Sequence, residues 1–370
     1  MIIYIEVSKR TKDELERLLE AGGYRDYSEA VSIAIANQLL LHTHANENSA
    51  RNIPPALVAS TESALPEKSG KNSTPQVRLA LEVPPLFSHI SSGKCPHLAA
   101  YPNDAFAVDR DVPVDRWIFG QHNKLLPVKA TCRALARLMS TEGEGNLSFP
   151  KTASTIASEA VKLGDYLRHL DETSGVHRDD ALSFAFPYTD SPNGDKSRLR
   201  YANQFVASFT RQGSFTGLPF ELKLVNRDQS RTPHILLTEA GWRFAEMRNP
   251  ILDEGQDARQ SRFSIEEIEF LVAHIRSLVP AEAFAYKVVL ESIAQGAKTP
   301  DKLDDALEEY LPQREEKPYT RAYLTTQRAG VVSRMVDLGL VQRIRDGINV
   351  SYAATAKTFE SSPNPLRKVV

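Results

Sequence analysis

The sequence predicts a mainly α-helical chain with small β-ribbons. Three observations carry that expectation. Apolar residues recur at helical spacing through much of the chain after residue 125, as in Leu135, Leu138 and Met139. Strand-like runs are few, short and paired, as where Leu340 to Arg345 and Ile348 to Ala353 flank Asp346-Gly347, a strong hairpin signal. The opening residues, Ile2 to Val7, alternate apolar and polar with a period of two and give way to two short helical stretches.

At 370 residues the chain exceeds what one core usually holds, so two or three domains are expected. With 41% hydrophobic and 25% charged residues the composition is that of a globular protein. The formal net charge of -2 gives no global argument for a polyanionic partner, so any such argument rests on how charge is distributed. Cys95 and Cys132 alone cannot make a disulfide framework, and no apolar run reaches membrane-spanning length or forms a signal core. A cytoplasmic, nucleoid-associated location is the expectation. The expected organisation is a first segment over 1–43, a linker and irregular region over 44–110, modules over 111–255 and 260–360, and a tail over 361–370.

In the first segment Ile3, Ile5 and Val7 share one strand face and Tyr4 and Glu6 the other. Ser8 can cap a helix to about Ala21 that Gly22-Gly23 stops, and Ser28 caps a second helix to about Leu41. So short a piece cannot bury its own apolar surface and calls for a second copy. Ile3-Tyr4-Ile5-Glu6-Val7-Ser8, the Gly-Gly-Tyr turn and Tyr27-Ser28-Glu29-Ala30-Val31 resemble the ribbon-helix-helix repressor family. The resemblance implies a homodimer through residues 1–43 whose paired strands enter the major groove, with Tyr4 and Glu6 facing bases and Ser28 at a helix N-terminus that holds a phosphate. The same segment also suits a dimerisation cap that leaves DNA untouched.

Pro, Ser and Asn mark a linker from His42 to about Pro85. Beyond it, helices are expected from about Leu125, over Thr152 to Leu170 as one or two pieces, and over Ser197 to Arg211, then strands at Phe220 to Val225 and His234 to Leu237. Further on come helices at Ser264 to Leu278, Pro280 to Ala294, Thr299 to Leu311 and Thr325 to Leu338, then the hairpin. Helices followed by a hairpin make the winged-helix order, and both Ile235-Leu236-Leu237-Thr238-Glu239-Ala240-Gly241-Trp242 and Val336-Asp337-Leu338-Gly339-Leu340-Val341 resemble helix and wing junctions of that family.

Charge follows the same division. Lys196 to Arg248 holds nine basic and four acidic residues, and Thr320 to the end eight basic and three acidic, whereas Phe263 to Pro312 holds ten acidic and four basic. Basic residues gathered on a recognition helix and wing neutralise phosphates. The expected DNA-reading residues are Arg198, Arg200, Asn203 and Gln204 in the first module and Thr326, Gln327, Arg328 and Arg334 in the second, since Arg reads guanine and Asn or Gln adenine. Arg211, Arg227, Arg231, Arg321, Arg343 and Arg345 are expected to position the duplex through its backbone.

The sequence carries no phosphate-cradling Gly loop, nucleophile elbow or His-Glu-x-x-His pair, so neither catalysis nor a cofactor is expected. His89, Cys95 and His97, with His122 or Cys132, have zinc-ligand chemistry at an unusual spacing, and ordinary packing suits them better. Asp171-Glu172 and Asp179-Asp180 read as a solvated polar stretch rather than a nuclease centre. The expectation is a homodimeric regulator of double-stranded DNA; a plasmid-partition or replication-initiation protein and a protein-binding adaptor are the other readings.

Overall fold

The computed structural model describes residues 82–90, 97–101, 112–142, 148–177, 180–191, 193–209, 215–228, 234–255, 261–312 and 319–355. The chain divides into two compact units, Met1–Val77 and Arg78–Val370, and every described residue belongs to the second. The strand-helix-helix segment expected over 1–43, with Tyr4, Glu6 and Ser28, lies outside the described residues.

The described chain is mainly helical with three small antiparallel strand pairs. Helix α1 (Leu126–Glu142) sits at the centre, and even its polar residues Lys129, Thr131 and Arg133 are buried. Helix α2 (Phe149–Ser174) starts with Pro150 in its first turn and stops at Gly175, whose φ of 62° is open to glycine without strain. It is one helix because Ile156, Ala160, Leu163 and Leu167 keep a single buried stripe through its middle. Helix α3 (Gly194–Tyr201) passes into a π turn over Ala202–Val206 and ends there, five residues before the expected Arg211. The break is where Ala207 becomes extended and leads into β1 (Ser208–Phe209), paired with β2 (Phe215–Thr216).

The expected strand at Phe220 to Val225 is mostly not extended: Gly217 and Pro219 start a short helix, α4 (Leu218–Glu221), Leu222 to Leu224 turn, and only β3 (Val225–Arg227) is a strand. It pairs with β4 (Ile235–Leu237), with Val225 opposite Leu237. Thr238 then caps α5 (Glu239–Glu246), and Asn249 caps α6 (Pro250–Glu254).

The second half follows the sequence closely. Ser264 and Glu267 form a capping box at the start of α7 (Ile265–Leu278), and Pro280 opens α8 (Pro280–Ala294) at the expected residue. Then come α9 (Pro300–Glu308), α10 (Arg321–Asp337), β5 (Val341–Asp346) and β6 (Asn349–Ala354). Asp346 pairs with Asn349, so the two-residue turn is Gly347-Ile348, one position later than expected, with Gly347 at φ 59°.

One order of elements occurs twice. Between α1 and α2, Ser148 forms an antiparallel bridge with His234, just ahead of β4. Between α8 and α9, Lys298 accepts a backbone hydrogen bond from Tyr352 of β6 at 2.7 Å. Each time, the link between two helices is bonded in, or one residue ahead of, the last strand of a later hairpin.

The two stretches lie in one compact unit and share a continuous core running from Phe87 to Tyr352. Helix α1 packs on α5 and β4, α5 on α7, α7 on α8, and α8 on α9, α10 and β6. Residues 82–90 and 97–101, expected within the linker and irregular region, belong to this core as well. Phe87 is buried, its carbonyl accepts from Arg133 at 3.2 Å, and Ala99 donates to the Leu237 carbonyl at 2.9 Å.

Candidate nucleic-acid interface

Helix α3 is anchored at one end only. Tyr201 is buried against Phe186 and Phe205, with ring centroids 5.4 and 5.7 Å away, and Thr131 of α1 donates to the Phe205 carbonyl at 2.7 Å. No other residue of its two turns is buried, so Lys196, Arg198, Leu199 and Arg200 are exposed, and Asn203 is exposed on the π turn. Three cations thus stand in solvent on one short helix against a single carboxylate, Asp195, which pairs with Arg198. Gln204 is half-buried and donates to Gln121 at 3.3 Å.

The β3–β4 hairpin follows this helix after β1, β2 and α4, and carries Arg227, which is exposed. Its loop end is closed by His234, whose backbone N–H and Nδ1 meet the Asp228 carboxylate at 3.0 and 2.8 Å. Arg211 and Arg231 lie outside the described residues.

The second module corrects three expectations. Arg334 is fully buried: it makes two hydrogen bonds to Glu282 of α8 at 2.6 and 2.9 Å and a third to the His122 carbonyl. Arg328 is buried between Asp304 of α9 at 2.6 Å and the Tyr352 hydroxyl at 3.0 Å. Gln327 is buried, donating to the Val114 carbonyl at 3.1 Å while its own oxygen accepts from the Gly120 N–H. None of the three can read a groove. Helix α10 lies between α8 and α9 on one side and the segment around Val114 to His122 on the other, so its polar side chains are internal and satisfied there.

Around α10, exposure is confined to Arg321, Ala322, Thr325 and Ala329. Thr326 is half-buried and its hydroxyl turns back to the Ala322 carbonyl at 2.8 Å. Arg321 is exposed but bonded to Asp305 at 2.6 Å and to the Asp301 carbonyl at 2.9 Å. On β5, Arg343 and Arg345 share one face of the strand and meet Asp180 at 3.2 and 3.9 Å.

Four further buried contacts hold the modules together, and sequence reasoning named none of them. Lys129 pairs with Glu267 at 2.8 Å, with both side chains fully buried. Burial pulls the Lys129 ammonium down to about 8 against the opposing pull of Glu267. Asp337 accepts from the Leu125 N–H at 2.9 Å while pairing with Arg262 inside its own module. Asn249 donates to Glu267 at 3.0 Å, and His274 meets the Leu222 carbonyl at 2.7 Å. Nothing in the periodicity of either helix marks these residues, because the partners are far apart in sequence.

The metal and nuclease residues separate. Cys95 is outside the described residues, and His89 and His122 meet the Glu246 carbonyl at 3.1 Å and the Glu221 carboxylate at 2.6 Å. Cys132 is buried in α1, where burial pushes its thiol up to about 12, the opposite of what a metal ligand needs. Asp171 accepts from the backbone of Leu182 and Ser183 at 2.8 and 2.9 Å and so fastens the turn after α2. Among the described residues no group of three or more His, Cys, Asp or Glu is placed to hold a metal ion, and no helix is long and apolar enough to cross a membrane.

No family model, curated protein or solved structure matches this chain. The functional reading therefore rests on the residues themselves.

Proposed function

We propose that this chain is a non-enzymatic protein that binds double-stranded DNA. Its first module is a winged helix that lays α3 in the major groove and the β3–β4 hairpin along the neighbouring backbone. One observation carries the reading: Lys196, Arg198, Arg200 and Asn203 stand exposed on a helix buried only at its far end, which suits phosphate neutralisation and base contact. The repeated order of helix, bridge, helices and hairpin supports treating both halves as winged helices. The second then serves mainly as a rigid support, because its arginines are spent on internal ion pairs.

The ribbon-helix-helix resemblance of residues 1–43 supports a homodimer, and a dimeric DNA-binding chain of this kind is a regulator of transcription. Selection of bound genomic fragments separates this from partition or replication initiation, since one site beside its own gene marks a regulator and an array of repeats marks the others.

A protein-binding role for the second module has an observation in its favour. The exposed stripe of α10 begins at Arg321, which is bonded to Asp305 and the Asp301 carbonyl of α9, and the carboxylates there repel phosphates.

The test is duplex binding by fluorescence anisotropy with the full chain across a salt series. The double variant Arg198→Ala, Arg200→Ala should bind more weakly and lower the slope of log affinity against log salt by about 2, roughly one per lost phosphate contact. Its stability should stay within about 0.5 kcal/mol of the parent, as both side chains are exposed. An unchanged slope and affinity would remove α3 from the interface, and salt-independent binding of the parent would remove DNA.

A further inference from the structure

The ion pairs within and between the two modules are not alike. Arg334–Glu282 and Lys129–Glu267 are fully buried at 2.6 and 2.8 Å, and Arg133–Asp253 is nearly so. Asp180 differs on every count. Its carboxylate is 39% exposed, it is shared between two arginines of β5, and its contacts are longer, 3.2 Å to Arg343 and 3.9 Å to Arg345. The arginine side chains are themselves reachable, at 16% and 28% exposure. Lys124 lies within electrostatic reach of the same carboxylate, and also of Asp337, Arg262 and Arg343.

The backbone at Asp180 is tied down separately. Arg262 donates to the Asp180 carbonyl at 2.6 Å while pairing with Asp337, and the Asp180 N–H donates to the His177 carbonyl at 2.8 Å. The carboxylate can therefore leave the arginines by side-chain rotation alone, without moving the chain. A carboxylate held loosely between two part-exposed guanidinium groups occupies the place where a phosphate fits: guanidinium forks bind both anions with the same geometry, and a phosphate offers more acceptors.

We propose that the Arg343–Arg345 face of β5 is a phosphate-binding site in which the Asp180 carboxylate is the resident anion, displaced when a phosphate group enters. The site stands independently of α3. The phosphate is supplied either by a duplex backbone lying along the hairpin or by free phosphate and its small esters, and the chemistry of capture is the same.

The experiment uses the full chain, the parent and two variants, Asp180→Asn and Arg343→Gln. Inorganic phosphate is titrated at constant ionic strength against chloride, reading the thermal midpoint, and a fluorescent duplex is titrated in parallel. Asp180→Asn keeps the shape of the side chain and removes the competing charge. It should bind phosphate about two- to fivefold more tightly, the range one part-exposed charge pair supplies, and Arg343→Gln should weaken binding by a similar factor.

If phosphate also displaces the duplex, and Asp180→Asn tightens the duplex by the same factor, the backbone is the source. Saturable phosphate binding without displacement assigns the site to free phosphate. Absence of saturable binding by both phosphate and duplex in Asp180→Asn overturns the proposal, as does equal affinity of parent and variant for phosphate. A chain that binds phosphate through Arg343 yet ignores duplex DNA would refute the function proposed above and leave this site standing.

Discussion

Replacing Arg334 separates a structural role from a DNA-reading one. The Arg334 and Glu282 side chains are both fully buried, and Arg334 reaches Glu282 with two hydrogen bonds and the His122 carbonyl with a third. Arg334→Leu leaves the Glu282 carboxylate in the core without a cation. Breaking a buried pair from one side costs about 3–5 kcal/mol, and the lost bond to His122 adds about 1 kcal/mol. For a unit of this size each kcal/mol lowers the midpoint by about 2 °C, so the expected loss is about 8–12 °C. Thermal unfolding followed by circular dichroism reads it directly. The double variant Arg334→Leu, Glu282→Leu should recover at least half of the loss, since an apolar pair of similar volume replaces a buried ion pair at little net cost. Well below the midpoint, duplex affinity of Arg334→Leu should equal that of the parent. A midpoint within about 2 °C of the parent, or a folded variant with weakened DNA binding, would place Arg334 at an interface and sink the reasoning.

Two further outcomes follow from the packing. Burial pulls the His274 imidazole down to about 4, so it stays neutral in the folded chain and protonates only on unfolding. Its contribution is complete above the unfolded value near 6.5 and is lost as pH falls towards 4, amounting to about 3 kcal/mol. Relative to His274→Gln, the parent should lose that much between pH 7 and pH 4 in urea titrations, and parallel pH curves would refute the assignment. Gly120 and Gly330 bring the segment before α1 against α10, where a Cβ on Gly120 would collide with the Thr326 carbonyl. Gly120→Ala should therefore cost about 1–3 kcal/mol by forcing backbone apart, and a neutral effect in the same assay would mean that the contact is loose.

Much of the helical framework was legible because it depends on neighbours in sequence. Ser264 and Glu267 make a capping box three residues apart, Pro280 sits in a first turn, and the β5–β6 hairpin turns on a single glycine. What could not be read depends on distant partners. Arg328 and Arg334 carry the chemistry of a groove reader, and only the positions of Asp304, Glu282 and Tyr352 decide that they are internal. Residues 82–90 and 97–101 lack a period of their own because, apart from one short turn at Pro85–Phe87, they lie on the surface of α1 and β4, as the Arg133 bond to Phe87 and the Ala99 bond to Leu237 indicate. The early end of α3 turns on a π turn that no residue between Ala202 and Val206 announces.

The basic excess along the chain is thus a poor measure of the charge a partner meets. From Thr320 onward the sequence holds eight basic residues against three acidic ones. Two of those cations are buried against carboxylates of α8 and α9, a third is bonded to Asp305, and two more meet Asp180. The carboxylates that neutralise them belong to the acidic stretch Phe263 to Pro312 or to the first module, so the two opposite charge runs cancel within the fold. Helix α3 shows the contrary case, because among the described residues the carboxylate paired with its cations, Asp195, is on the helix itself and is outnumbered. The same substitution, Arg to a neutral residue, should therefore act on different quantities in the two modules: binding when made in α3, stability when made in α10. Equal effects on binding from both helices would mean that the ion pairs of α10 open when DNA arrives.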